Sequence, residues 1–97
     1  MQIIIHAGNA RNLCSQAIDK AEAEDFQEAN KLMSEAEEVM LQAHISQTNI
    51  IQDEARGKEY PHSLLFTHAQ DTLMTIKSEL NMGKKFILVF KKIAHSK

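Results

Sequence analysis

The chain of 97 residues has few of the residues that break helices or build covalent frameworks. It contains three glycines, one proline, five aromatic residues and no tryptophan. All-β folds need more turn residues, whereas the abundant Ala, Glu, Gln, Lys, Leu and Met lose little rotamer freedom in a helix. Cys14 is the only cysteine, which excludes an intrachain disulfide and a thiolate zinc cluster. The composition favours a single all-α domain in a reducing compartment.

Long apolar runs and common enzyme fingerprints are also missing. The apolar start at residues 3–5 is too short for a signal peptide, and nothing approaches the ~20 apolar residues of a membrane span. There is no Gly-rich phosphate loop, Gly-x-Ser-x-Gly, His-Glu-x-x-His or Cys-x-x-Cys. We expect a cytoplasmic protein without membrane insertion. The helical pattern is already present at the first residues, so we expect that the natural protein can have further residues before residue 1.

Charge of both signs is present, but it is segregated along the chain. The net charge is −2, yet residues 19–59 carry 11 acidic and 4 basic groups, whereas residues 77–97 carry 6 lysines and one glutamate. Two surfaces of opposite potential can orient charged partners, although lysines near a helix C-terminus also suit the helix dipole. With few aromatic residues and no overall positive charge, nucleic-acid binding is not expected.

Small and apolar residues recur at three-four spacing in three segments. This periodicity predicts helices over about 2–22, 26–54 and 61–95 of one domain spanning residues 1–97. We expect them to form an antiparallel up-down-up three-helix bundle. The predicted core residues are Ile3, Ala7, Ala10, Cys14, Ala17 and Ala21, then Phe26, Ala29, Met33, Ala36, Met40 and Ala43, then Leu65, Ala69, Leu73, Ile76, Leu80, Gly83, Ile87, Phe90 and Ala94.

Specific residues mark where these helices begin and end. Asp25 with Glu28 has the spacing of a capping box, Gly57 suits a left-handed helix end, and Pro61 suits a first helical turn. A kink or early stop at residues 81–83 is the alternative to one continuous third helix. Residues 86–90 are apolar on every side, so a monomer would leave part of this run in water, which favours self-association.

The most suggestive polar group is His68. On a helix, His68, Asp71 and Thr72 stand at i, i+3 and i+4, and this polar stripe flanks the apolar seam. A neutral imidazole in that position can attack phosphorus and carry a phosphoryl group if its neighbours orient the ring. From spacing alone, a histidine that only hydrogen-bonds a neighbour is the other interpretation. Cys14 lies on the small-residue seam and is expected in the core.

The chain resembles the IIA component of the lactose/cellobiose-specific sugar phosphotransferase systems of bacteria. The matching residues are Ala7-Gly8-Asn9-Ala10-Arg11, Asp25-Phe26, Ala43-His44, Gln47-Thr48, and above all His68-Ala69-Gln70-Asp71 with Leu73-Met74. The resemblance implies a homotrimer in which His68 accepts a phosphoryl group from the histidine phosphocarrier protein HPr. It also implies transfer to a cysteine of the cognate IIB component, which phosphorylates a β-linked disaccharide as the membrane component IIC imports it.

The same resemblance implies a metal site and supporting residues. One acidic residue per subunit meets its two copies on the threefold axis around a divalent ion, expected as Mg²⁺, and the matching position is Asp71. Gln70 and His44 match polar positions. His44 precedes Gln47 at i+3 on the second helix; we expect it to be a buried, hydrogen-bonded histidine, and the alternative is that it lines the same groove as His68. Gln70 lies about 200° round the helix from His68, so we expect it to act on a neighbouring subunit or a packed helix.

Thr72 departs from the family pattern, where a second histidine is common. If the imidazole of that second histidine assists phosphoryl transfer, we expect the transfer by this chain to be slower or to differ in its rate properties. If the imidazole only packs, we expect the transfer to be unchanged. Lactose, cellobiose and chitobiose systems share this component, so the sugar is not specified. The rival function is a trimeric helical adaptor that binds proteins without chemistry. A metal protein of the helical-bundle type is disfavoured because too few Glu-x-x-His pairs exist.

Overall fold

The computed structural model describes residues 2–57 and 64–96. Three helices follow one another, α1 at Gln2–Glu22, α2 at Phe26–Ala55 and α3 at Leu64–His95, and these two described ranges contain no strand. The prediction of an all-α, three-helix chain is confirmed. The expected first turn of the third helix at residues 61–63 lies outside the described residues. None of the helices in the described ranges is both long and apolar enough to cross a bilayer.

The helices alternate in direction along one long axis. Arg11 of α1 pairs with Glu79 of α3, and Cys14 further along α1 lies against Gly83 further along α3, so these two helices run parallel. Glu37 of α2 pairs with Lys84, whereas later residues of α2 contact earlier residues of α3, so α2 runs the opposite way. The result is an up-down-up bundle measuring 59 × 19 × 16 Å.

The predicted seams form the core. All six predicted residues of α1 are buried, as are Ala29, Met33, Ala36, Met40 and Ala43 of α2 and Ala69, Leu73, Ile76, Leu80, Gly83 and Ile87 of α3. Phe26, Phe90 and Ala94 are only half-buried, and the side chain of Leu65 is outside what the structure describes. Because so many α1 core residues are alanine, the neighbouring helices approach it closely.

The third helix does not stop at residues 81–83, because α3 continues without interruption to His95. Gly83 is buried, and a Cβ atom at this position would lie 2.7 Å from the Sγ atom of Cys14. The alternative of an early stop was therefore wrong. This glycine permits close contact between α1 and α3, and it does not end the helix.

The turn between α1 and α2 is held by backbone and side-chain hydrogen bonds. The Glu24 N–H donates to the Ala21 carbonyl at 3.0 Å and the Asp25 N–H to the Lys20 carbonyl at 2.8 Å, while Glu24 has φ 64°. These bonds define a Schellman motif. The predicted N-cap is confirmed, since Asp25 Oδ1 accepts the Glu28 N–H at 3.3 Å. The reciprocal half of the capping box was wrong, because the Asp25 N–H is already bonded to Lys20.

The predicted left-handed residue after α2 is confirmed at Gly57. Its φ is 87°, a region that L-residues with a Cβ atom rarely adopt. Glycine enters this conformation without steric cost, which suits a position just beyond the end of α2 at Ala55. The position where α2 ends could therefore be predicted from Gly57 in the sequence.

Candidate functional site

The first turns of α3 carry the candidate phosphoryl acceptor. Ala69 and Leu73 are buried and fix this part of α3 against the bundle, which leaves His68 exposed on the outer side. Thr72, one turn later on the same side, is half-buried. A partner can reach an exposed imidazole in line with a phosphorus atom, and transfer of a phosphoryl group depends mainly on such positioning.

The other polar residues of the motif do not gather around His68 within one chain. Gln70 is half-buried, and its position on the helix is roughly opposite to that of His68. Asp71 is exposed and lies on the side of α3 that faces away from the core. Within a single chain, therefore, Gln70 is not placed to orient the imidazole of His68.

His44 occupies a groove between α2 and α3. This groove, of about 310 Å³, is also lined by Gln47, Met74 and Lys77, with Met40 and Leu73 at its base. The expectation of a buried His44 was wrong: Ala43 faces the core, and His44, one residue on, is turned outward into solvent. His68 does not line this groove, so one chain holds these two histidines on separate surfaces.

A charged pair joins α1 to α3 farther along the bundle. Arg11 Nε donates to Glu79 Oε1 at 2.9 Å and Arg11 Nη2 donates to Glu79 Oε2 at 2.7 Å. This bidentate hydrogen bonding with Glu79 raises the pKa of Arg11 above its ordinary value. Glu79 is 11 residues beyond His68, about 16 Å along the helix, so the pair fixes the two helices and does not contact the imidazole.

Cys14 lies beside this pair in the interior. It is 4% exposed, and its thiol donates a weak hydrogen bond to the Glu79 carbonyl oxygen at 3.9 Å. Burial raises the pKa of the Cys14 thiol, and the nearby charge of Glu79 raises it further. The prediction of a core cysteine is confirmed, and Cys14 has none of the properties of a nucleophile.

The described ranges contain no group of three His, Cys, Asp or Glu side chains able to hold a metal ion. Asp71 is a single exposed carboxylate in each chain. The Mg²⁺ site expected at Asp71 therefore does not form within one copy. A carboxylate oxygen is nevertheless the ligand type that Mg²⁺ prefers, so convergence of several copies would be required to build the site.

The sequence predicted that part of residues 86–90 would be exposed, but it did not predict the groove that these residues form with the nearby lysines. Near the C-terminal end of α3, a groove of about 540 Å³ is lined by Lys85, Leu88, Val89, Lys91, Lys92 and His95. Leu88 is 62% exposed. The available signal was the seven-residue spacing of Lys85 and Lys92, which places both lysines on one side of a helix.

These features define a small helical domain that presents a histidine at an exposed position of its third helix. Residues 1–91 match the family described as "PTS system, Lactose/Cellobiose specific IIA subunit". The lichenan-specific phosphotransferase enzyme IIA component of Bacillus subtilis is 38% identical over 96 residues, covering 99% of this chain and 87% of the relative. The lactose-specific EIIA component of Lacticaseibacillus casei is 37% identical over 91 residues, covering 94% and 81%.

Solved structures agree with this assignment. The cellobiose-specific enzyme IIA from Bacillus anthracis superposes with a TM-score of 0.92 at 36% identity, covering 99% of this chain and 88% of that chain. The IIA(chitobiose)–HPr complex from Escherichia coli gives a TM-score of 0.83 at 30% identity, covering 95% and 89%. The chain belongs to the lactose/cellobiose-specific IIA family and is a component of a sugar phosphotransferase system with a role in phosphoryl transfer.

Proposed function

We propose that this chain is a cytoplasmic phosphocarrier in which His68 receives a phosphoryl group from phospho-HPr and passes it to a cysteine of the cognate IIB component. The observation that carries the proposal is the exposure of His68 within the block His68-Ala69-Gln70-Asp71. A relative of the same fold is solved in complex with HPr, which supports HPr as the donor. Transfer from IIB would serve uptake of a β-linked disaccharide by IIC.

Each transfer exchanges one bond to phosphorus for another. A ring nitrogen of neutral His68 attacks the phosphorus of phospho-HPr, so that a new P–N bond forms while the P–N bond of the donor breaks. In the second step a thiolate of IIB attacks, a P–S bond forms, and the electron pair of the breaking P–N bond returns to the imidazole. Exposure of His68 supports this relay because both partners must reach the same nitrogen in turn.

We further propose that the working form is a homotrimer. The outer face of α3 carries exposed residues at three-four spacing, and we refer to them as the outer seam: Asp71, Thr75, Ser78, Met82, Phe86, Val89 and Ile93. The apolar members of this seam support self-association, because they are large side chains left in water by one chain. Three parallel copies of α3 would cover them and bring Gln70 toward a neighbouring subunit.

Such a trimer would bring three Asp71 carboxylates together. Three converging carboxylates repel one another, and a hard divalent cation such as Mg²⁺ relieves that repulsion. We expect elemental analysis of the purified protein to give about one metal ion per three chains, and we expect Asp71→Asn to lose it. Glu38→Gln serves as the charge-matched control, and unchanged metal content in Asp71→Asn would contradict the site.

The central test is phosphorylation by labelled phosphoenolpyruvate, enzyme I and HPr. We expect the unmodified protein and His95→Ala, which removes another exposed histidine of α3, to take up acid-labile phosphate. His68→Ala should take up none while it remains folded, because the attacking nitrogen is gone. Label retained in His68→Ala would place the phosphoryl group elsewhere, and absence of label in the unmodified protein would favour the adaptor instead.

A further inference from the structure

The groove at the C-terminal end of α3 has the chemistry of a docking surface. Its centre is apolar, formed by Leu88 and Val89, and its rim carries the positive charges of Lys85, Lys91 and Lys92. Lys84, which is close by in sequence, is already paired with Glu37 of α2. An occupant of the groove must therefore be apolar in part and must offer negative charge to Lys85 and Lys92.

The same molecule offers a matching surface on α1. Asp19 and Glu22 are both exposed, and Glu22 lies on the same side of α1 as Ser15 and Ile18, which border the groove between α1 and α3. Cys14 and Ile18 lie against Gly83. Because both helices rise about 1.5 Å per residue, Asp19 and Glu22 are therefore roughly level with residues 84–91 of α3.

The two surfaces lie on opposite flanks of the outer seam. Lys85 and Lys92 are on one flank of α3, while Glu79 and Gly83 face α1 on the other flank. When parallel copies pack their outer seams around a common axis, the lysine flank of one copy meets the α1 side of the next. The geometry points to Lys85 and Lys92 binding Asp19 and Glu22 of a neighbouring copy. This inference rests on the homotrimer of the proposed function.

This contact selects the partner as well as stabilising it. Apolar seams of similar spacing associate with little discrimination, whereas charges on their flanks favour the correct neighbour and penalise an incorrect one. A related subunit that lacks the acidic pair at positions 19 and 22, or the lysines at 85 and 92, would leave buried or opposed charges. The flanking charges thus keep copies of this chain together.

The test is the self-association of charge-reversed variants, measured by sedimentation equilibrium at low salt. We expect Lys85→Glu with Lys92→Glu, and separately Asp19→Lys with Glu22→Lys, to weaken association about tenfold or more, because like charges then face each other. The variant with all four reversals should return to within about threefold of the original affinity. Lys20→Glu with Lys31→Glu, which changes the net charge by the same amount as the lysine reversals, should behave as the unmodified chain.

Several outcomes would overturn the inference. One is that the two-site reversals associate as tightly as the Lys20/Lys31 control, and another is that the fourfold reversal is no better than either pair. A mixture of the two weakened variants should recover association only in part, because a ring of three always keeps one contact between copies of the same variant. Labelling of His68 in each variant is scored separately, so failure here is distinguishable from failure of the phosphocarrier function.

Discussion

At the scale of single residues, Gly83 shows how a missing Cβ sets the distance between two helices. Alanine is the better helix former by about 1 kcal/mol, so local preference alone favours Gly83→Ala. The Cβ would meet Cys14 Sγ at 2.7 Å and Met33 Cε at 3.2 Å, and overpacking of a core costs about 1–3 kcal/mol. Gly8 is the natural comparison, because a Cβ there would meet nothing within 4 Å.

We therefore expect Gly83→Ala to lower the free energy of unfolding by about 1 kcal/mol net. Gly8→Ala should raise it by about 0.5–1 kcal/mol. Denaturant titrations at one fixed protein concentration measure both. In a double-mutant cycle with Cys14→Ala, the penalty at residue 83 should shrink, because the atom that blocks the Cβ has been removed. Equal gains in stability from both glycine substitutions would refute the close-contact explanation.

Residue by residue, the sequence predicted burial well wherever periodicity carried the information. The burial of Cys14, Ala17 and Ala21 could be predicted without the neighbouring helices, because the three-four spacing places these residues on the core side of α1. The alternative of an early helix stop at Gly83 and the expected burial of His44 were wrong for one shared reason. Whether a glycine loosens a helix or permits contact, and whether a histidine next to the seam is covered, depends on the approach of a second helix.

At the scale of elements, the tight turn between α1 and α2 stores conformational strain at Glu24. Its φ of 64° is left-handed, which costs a residue with a Cβ atom about 1–2 kcal/mol. We expect Glu24→Gly to raise the free energy of unfolding by up to about 1 kcal/mol, because glycine enters this region without that cost. Thermal and denaturant unfolding followed by circular dichroism provide the measurement.

The matched comparison is Glu38→Gly, which replaces the same residue at an exposed helical position of α2. There glycine should lower the free energy of unfolding by about 0.5–1 kcal/mol, because it loses more backbone entropy in a helix. A loss of stability in both variants would show that contacts of the Glu24 side chain outweigh the backbone strain. Opposite signs would establish that the turn itself is the source.

Helix ends were predicted from residues that act locally. The carboxylate of Asp25 caps the start of α2. Gly57, which has no side chain, adopts a left-handed conformation after the end of α2. The reciprocal bond of Glu28 was the part that failed. The Asp25 N–H donates to the Lys20 carbonyl at 2.8 Å, because the Schellman turn places that carbonyl beside it. The Glu28 carboxylate therefore does not accept this hydrogen bond.

At the scale of the whole molecule, the exposed outer seam makes stability depend on protein concentration. Association of folded chains stabilises the folded state by mass action, so we expect Tm to rise as the protein is concentrated. Val89→Glu, in the outer seam, should remove this dependence. Ile51→Glu replaces an equally exposed apolar residue of α2 away from the seam and should preserve it. A Tm independent of concentration in the unmodified chain would argue for a monomer.

Assembly was the part least accessible from sequence pattern. The sequence predicted that part of the apolar segment at residues 86–90 is exposed to water, and Phe86, Leu88 and Val89 are exposed in the structure. That observation indicates that some surface is to be covered, but the number of copies came only from family resemblance. The roles of Gln70 and Asp71 have the same origin, since no spacing within one chain can describe what a second chain brings to it.

The connectivity of the bundle also orders the events of folding. α1 and α2 meet across a three-residue turn, whereas Arg11 and Glu79 pair across 68 positions of sequence. Short loops close at lower entropic cost and faster than long ones, so the α1–α2 hairpin is expected to form first and α3 to dock onto it. The helix that bears His68 is then also the last to be synthesised, and until it docks the hairpin exposes Cys14 and Ile18 of α1, which pack against Gly83 in the folded chain.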